Sequence, residues 1–246
     1  MDTIKETVSV VIPAYNEGHH IAANLAEIER TFKAFGCRYE LIVVDDGSKD
    51  GTYEELVKAA KGHAHIIVKR NMRNYGKGRA IKKGVRFATG EYTVLLDADM
   101  DLHPGQIQAF FDIMRLDDAD AVIGSKMHPN SRVTYPWHRR IVSGVYFALV
   151  RFLFDLPIRD TQTGLKLFKT EVIKKAFNRI LVKEFAYDLE LLISIHRKGC
   201  RIAEAPVVME KQQTWPRVRW RDIYHTWWDT MAIWYRTYIL HWYSGK

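Results

Sequence analysis

Cysteine is nearly absent from this chain: Cys37 and Cys200 are the only two. They fall in no C-x-x-C or other metal-binding spacing, so neither a disulfide framework nor a cysteine zinc site is available. The chain reads as a protein of a reducing compartment. No stretch is rich enough in Gly, Ser or Pro to serve as a linker, and no repeat or low-complexity tract is present. The opening, Met1 to Val10, lacks the charged-then-apolar order of a secretory leader, so the domain is expected to begin near residue 7. Long apolar runs are missing too. The best, Ile141 to Phe154, is interrupted only by Ser143, Gly144 and Arg151, but it has the length of a buried or interfacial helix rather than a membrane span. Acidic residues are absent from Lys69 to Arg86, which holds eight Lys and Arg. Between Lys126 and Arg159 six basic residues face one acid, Asp155. Such surfaces attract phosphates of nucleotides, nucleic acids or lipids, and are also compatible with solvated faces.

What is present is a 246-residue chain, 47% hydrophobic, long enough to bury its own core. Its first half alternates strands and helices. Val8 to Ile12, Tyr39 to Val44, Ile66 to Val68, Tyr92 to Leu96 and Ala121 to Ile123 are short apolar runs. Helical spacing falls at Glu17 to Phe35, Thr52 to Ala60, Gly78 to Phe87 and His103 to Arg115. This pattern predicts an α/β fold with a mostly parallel sheet covered by helices. Further strands are expected at Gly164 to Phe168 and Arg201 to Met209, the latter at an edge because of Pro206. Helices are expected at Glu171 to Phe177 and Tyr187 to Arg197. The last segment, from Trp215, carries six of the seven tryptophans. Its aromatic stripe runs from Trp220 through Trp227, Trp228 and Trp234 to Tyr238. That composition suits an amphipathic helix at a membrane interface, or a helix packed on the domain or a partner. We therefore divide the chain into a domain of residues 1–210 and a tail of residues 211–246.

In parallel sheets ligands gather beyond the carboxyl ends of the strands. Tyr15, Asn16 and Glu17, then Asp45 and Asp46, then Asp97, Asp99 and Asp101 should therefore share one edge. Carboxylates crowded together repel unless a cation lies among them. Mg2+ or Mn2+ suits such oxygen ligands, with a diphosphate completing the shell. A capping role is the alternative for Asp101 and a simple turn the alternative for Asp45-Asp46-Gly47-Ser48. Asn74-Tyr75-Gly76-Lys77-Gly78, a glycine loop before a helix, suits phosphate.

Taken in order, Val8-Ser9-Val10-Val11-Ile12-Pro13-Ala14-Tyr15-Asn16-Glu17, Val44-Asp45-Asp46-Gly47-Ser48 and Leu96-Asp97-Ala98-Asp99 resemble the family-2 glycosyltransferases of GT-A fold. Gly124-Ser125-Lys126, Tyr135-Pro136-Trp137-His138-Arg139-Arg140 and Arg159 to Phe168 resemble the polyprenyl-phosphate sugar transferases within that family. These include dolichyl-phosphate mannose and glucose synthases. The resemblance covers about residues 7 to 210. It implies a nucleotide-sugar donor, GDP-mannose or UDP-glucose, a polyprenyl phosphate acceptor and inversion at the anomeric carbon. Pro13, Tyr15, Glu17 and Asp46 would hold base and ribose, Asp97 the ribose or diphosphate, and Asp99 the metal. Asp101 departs from the family pattern and is retained as a second metal candidate. Lys77, Arg217 and Arg219 are expected near the donor phosphates. Lys126 and Arg139 would meet the lipid phosphate, and Asp160 would orient or gate the acceptor-side loop, a general base being the alternative. A catalytic group of Asp97, Asp99, Asp160 and Arg139 follows. Many relatives continue into transmembrane helices, a pattern no stretch here has. The location implied is the cytoplasmic face of a membrane, reached peripherally or through a membrane protein partner. Rival readings are another acceptor, such as a polysaccharide or glycolipid, and a non-catalytic nucleotide-sugar binder. A nucleic-acid binder would leave the acidic edge unexplained.

Overall fold

The computed structural model describes residues 4, 6–133, 137–181, 186–209 and 220–243, and for 137–142, 220–223 and 225 the backbone alone. Among these residues seven strands form one mixed sheet: β1 (Thr7–Ala14), β2 (Arg38–Asp45), β3 (Ile66–Arg70), β4 (Tyr92–Leu95), β5 (Ala121–Ser125), β6 (Lys166–Lys169) and β7 (Ile202–Pro206). Their order across the sheet is β3-β2-β1-β4-β6-β5-β7. All neighbours are parallel except β6, which runs antiparallel to both β4 and β5. The expected α/β architecture is therefore present, and β7 with its proline lies at the edge as anticipated.

Among the described residues, eight α-helices cover the sheet: α1 (Ile21–Ala34), α2 (Thr52–Ala60), α3 (Lys77–Val85), α4 (Ile107–Leu116), α5 (Trp137–Phe154), α6 (Thr170–Phe177), α7 (Tyr187–His196) and α8 (Trp220–Tyr238). A 3-10 turn, Pro104–Gln106, precedes α4. Alternation along the strands divides the core. Val8, Val10 and Ile12 of β1 and Leu41 and Val43 of β2 pack with α1, α2 and α4. Val11, Ile42 and Val44 point the other way, toward α3, α5, α6, α7 and α8. A strand's period of two makes both faces apolar, as burial between two helical layers requires. Each fully buried Val, Leu or Ile contributes roughly 1.5–3 kcal/mol, so the two layers together hold the sheet flanked.

Two local features aim the sheet's edge. Gly84 lets α3 lie against β1 and β2, because a Cβ there would meet Val11 Cγ1 at 2.5 Å and Val44 Cγ2 at 3.2 Å. This close approach brings the first residue of α3, Lys77, over the strand ends. At the other side, α8 reaches the core through Ile233, with Thr230 and Thr237 also buried. Beyond it Tyr243 is buried and its hydroxyl donates to Glu190 of α7. Arg236 joins them, with Nη2 3.1 Å from Glu190 and Nε donating to Tyr243 Oη at 3.0 Å. The boundary expected at residue 210 falls outside the described residues. Among the described residues, no helix is long and apolar enough to cross a membrane.

Candidate active site

The strand ends open into one cavity of about 400 Å³. Tyr15, Glu17, Asp46, Asp97 and Asp99, expected on this edge, line it together with Pro13 and Lys77, expected at the donor, and with Asn74 and Gly76. The loops around it are tied to one another. The backbone N–H of Asn16 donates to Ser48 Oγ at 2.9 Å and that of Glu17 to Thr52 Oγ1 at 2.8 Å. Asn16 and Met100 both hold positive φ, 56° and 59°. Left-handed backbone at non-glycine residues is costly and tends to gather at functional sites.

Asp46 is almost wholly buried. Its carboxylate accepts from Asn71 Nδ2 at 2.7 Å and from the backbone N–H groups of Tyr75 and Gly76 at 3.1 and 2.9 Å. These bonds hold the glycine loop against the cavity. Gly47 follows at φ 76°, with a Cβ position only 2.5 Å from the Arg73 backbone, so no other residue fits the turn.

Lys77 Nζ lies 2.6 and 2.7 Å from the two oxygens of Asp97. Burial works against the charge on Asp97, but Lys77, with Lys166 and Lys126 farther off, overrides it and holds the carboxyl below its ordinary range. Burial also opposes the charge on Lys77, and Asp97 with Asp188 and Asp99 raises its pKa in spite of it. Behind Asp97 stands Gly164. A Cβ there would lie 2.2 Å from Asp97 Oδ2.

Glu17 is raised by burial first and then by the carboxylates of Asp99, Asp50 and Asp97. Asp99 is exposed and, among the described residues, makes no salt bridge. Lys77 offsets the charge of Asp97, whereas Glu17 and Asp99 still repel one another across the cavity. The chemistry of this group of oxygen donors fits a hard divalent cation such as Mg2+ or Mn2+, with Asp99 the most accessible of these carboxylates. Asp101 faces elsewhere. It lines a smaller cavity of about 60 Å³ with Asp97, Lys126, Gln162 and Gly164, although its backbone N–H donates to Asp99 Oδ1 at 3.1 Å. Asp97 thus borders both cavities.

Asp160 is buried. Its oxygens accept from the backbone N–H of Lys126 at 3.0 Å, from Gln162 N–H at 2.9 Å and from Thr163 Oγ1 at 2.8 Å. This geometry is that of a loop organiser. Arg139 lies in the first turn of α5 with its side chain outside the described residues, and Arg217 and Arg219 lie wholly outside them. Sequence reasoning missed the pair behind the loop: buried Lys166 Nζ donates to Thr163 O and to Asp188 Oδ1, both at 2.6 Å. Lys166 stands inside the stretch Arg159 to Phe168, and a lysine in a buried strand was the available signal.

Residues 9–177 match the family model described as glycosyl transferase family 2. The chain belongs to glycosyl transferase family 2. Among curated proteins it is 32% identical to the dolichyl-phosphate beta-glucosyltransferase ALG5A of Trichomonas vaginalis, over 81% of this chain and 64% of that protein. It is 30% identical to the dolichyl-phosphate beta-glucosyltransferase of Dictyostelium discoideum, over 81% of this chain and 65% of that one. The chain thus spans just under two thirds of the length of these relatives. Among solved structures, mannosyl-3-phosphoglycerate synthase from Rubrobacter xylanophilus superposes with TM-score 0.69 at 16% identity, covering 94% of this chain and 74% of that one. The mannosyltransferase of Pyrobaculum calidifontis, solved with GDP-Man and Mn2+, gives TM-score 0.64 at 22% identity, covering 99% and 66%. These are GT-A glycosyltransferases, and the fold of this family 2 member is theirs.

Proposed function

We propose that this family 2 member transfers a hexosyl group from a nucleotide-sugar to a polyprenyl phosphate, with inversion at the anomeric carbon. The observation that carries this reading is the position of Asp97. It forms the wall between a large donor-sized cavity, where Lys77 neutralises it, and a small one that holds Lys126. The names of the curated relatives favour glucose over mannose, and with it UDP-glucose as donor.

The donor lies in the larger cavity, with base and ribose against Pro13, Tyr15 and Glu17. Asp46 acts indirectly, by holding the glycine loop against the cavity. Lys77 serves the diphosphate side and supplies positive charge there, a role the sequence also suggests for Arg217 and Arg219. Asp99 is the residue assigned to hold Mg2+ or Mn2+, and Asp101 is left to the acceptor side. When bound, the cation neutralises the leaving diphosphate.

A lipid monophosphate is already an anion at neutral pH, its second pKa being about 6. Its oxygen forms the new bond to the anomeric carbon. The bond from that carbon to the diphosphate oxygen breaks, and the nucleoside diphosphate leaves with the electron pair. No strong base is needed, which accords with an Asp160 whose oxygens are occupied by its own loop. What the chain must supply is alignment and cations, here Lys126 and Arg139.

The reading of α8 as a membrane-surface element is supported by which side of it is buried. Thr230, Ile233 and Thr237 face the core, while Tyr224, Trp227, Trp228 and Tyr235 are 45–64% exposed. Phe152 on α5 adds an 85% exposed ring. Aromatic rings with basic neighbours suit the headgroup region of a bilayer. The deciding assay uses purified chain, Mn2+, polyprenyl phosphate and either UDP-glucose or GDP-mannose labelled in the sugar. Label entering an organic-extractable lipid from UDP-glucose is expected. Absence of label with both donors refutes the proposal.

A further inference from the structure

Where α1 meets the connection between α2 and β3, three metal-ligating side chains converge. Glu29 belongs to α1, and His63 and His65 flank Ala64 in that connection. His63 Nδ1 lies 3.2 Å and His65 Nε2 2.9 Å from the same Glu29 oxygen. The three donor atoms all lie within 4.8 Å of one another. None of these residues borders the two cavities of the candidate active site.

We propose that Glu29, His63 and His65 form a second, structural site for a borderline divalent cation of the zinc class. Ligand atoms around a tetrahedral zinc at about 2.0–2.1 Å are roughly 3.3 Å apart. The two separations to Glu29 are already of that size, so only the gap between the histidines has to close. Two imidazoles and one carboxylate select Zn2+, Co2+ or Ni2+ over Mg2+, whereas the nucleotide edge presents oxygens alone. The two sites are therefore chemically distinct.

The surroundings favour a held site. The Glu29 side chain is only 12% exposed, so packing fixes its carboxylate. Tyr39 meets His65 edge-on with ring centroids 5.2 Å apart, which orients that imidazole. The histidines, 41% and 32% exposed, leave an entry path and room for a water as fourth ligand. Lys33 Nζ lies 2.8 Å from the same Glu29 oxygen and is the competitor. Its side chain is 60% exposed and can swing into solvent as the cation enters. Because the ligands come from α1 and from the approach to β3, an outer strand of the sheet, the cation would staple a helix to the sheet's rim.

The test uses the full chain, stripped by chelation and then saturated with Mg2+ and nucleoside diphosphate so that the nucleotide edge is filled. Zn2+ at ten times its dissociation constant is expected to raise the unfolding midpoint by about 3–5 °C. Co2+ should give the intense visible bands of a low-coordinate site. His65→Gln or His63→Gln, which keep an amide to donate to Glu29, should weaken Zn2+ binding at least tenfold, and Lys33→Met should strengthen it. No shift with Zn2+, or an equal shift in wild type and both glutamine variants, overturns the proposal.

Discussion

Gly164→Ala isolates the geometry on which catalysis is proposed to depend. The backbone at Gly164 is not in the left-handed region, so alanine meets no conformational penalty there. Space is the sole objection: the added methyl would stand 2.2 Å from Asp97 Oδ2 and 2.6 Å from its Cγ. Ordinary contact needs more than 3 Å, so the carboxylate must retreat by about 1 Å. It cannot swing freely, because Lys77 grips both oxygens at 2.6 and 2.7 Å. Overpacking of this kind costs roughly 1–3 kcal/mol of stability, a loss the fold can survive. A displacement of about 1 Å at a group that positions substrate costs on the order of 10²-fold in rate. We expect Gly164→Ala to fold, to melt lower, and to transfer sugar about a hundredfold more slowly. In an Asp97→Ala background the same methyl has no carboxylate to displace and should cost little more, which a double-mutant cycle would read. Near-normal turnover in Gly164→Ala, or a full additive loss in the double variant, would refute the reasoning.

Lys77→Met should slow transfer by about 10²-fold and move the acid limb of the pH–rate profile upward. Asp97 is held below the ordinary carboxylate range, so its stabilisation is complete above that range and lost as pH falls through the lowered value; without Lys77 burial dominates and protonation begins at higher pH. Asp99→Asn should remove the dependence on Mn2+ together with most activity, a loss of at least about 10²-fold, read by titrating Mn2+ in the transfer assay. Tyr243→Phe should cost about 1–3 kcal/mol in chemical denaturation, since it strips a buried hydroxyl from Glu190 and Arg236. Trp228→Glu, at a position 64% exposed, should leave the fold intact and reduce cosedimentation with liposomes; unchanged sedimentation would remove α8 from the membrane-facing surface.

The layout of the edge was legible because strand ends are written in local sequence. An apolar run followed by Asp or Glu marks where a buried strand reaches solvent, and in a parallel sheet those points fall side by side. Of the residues expected on one edge from the strand ends, Glu17, Asp46, Asp97 and Asp99 line one cavity, while Asp45 is buried against Arg70 and Asp101 lines a neighbouring cavity. The antiparallel insertion of β6 between β4 and β5 left no such mark, since a short buried strand has the same composition in either direction.

What stayed hidden is how these carboxylates are divided between ligand and scaffold. Asp46 and Asp160 carry the same charge as Asp97 and Asp99 and sit in similar turns, yet their oxygens are consumed by loop amides and hydroxyls. No local pattern marks Asp46 as a carboxylate that binds backbone, because its partners are 25 to 30 residues away in the chain. Of the Asp160 partners, Lys126 is 34 residues away while Gln162 and Thr163 are local. The same blindness affects α8. Helical periodicity locates an aromatic stripe, but a core and a bilayer interface both favour one. Only the fold reveals that the helix gives its Thr230–Ile233–Thr237 side to the protein, with Trp234 packed beside it, and turns Tyr224, Trp227, Trp228 and Tyr235 outward. A helix seeking a core would do the reverse, since indole rings offer far more apolar area to bury than threonine. The outward aromatics are therefore a property of the surface this chain presents, anchored from behind by Glu190, Arg236 and Tyr243.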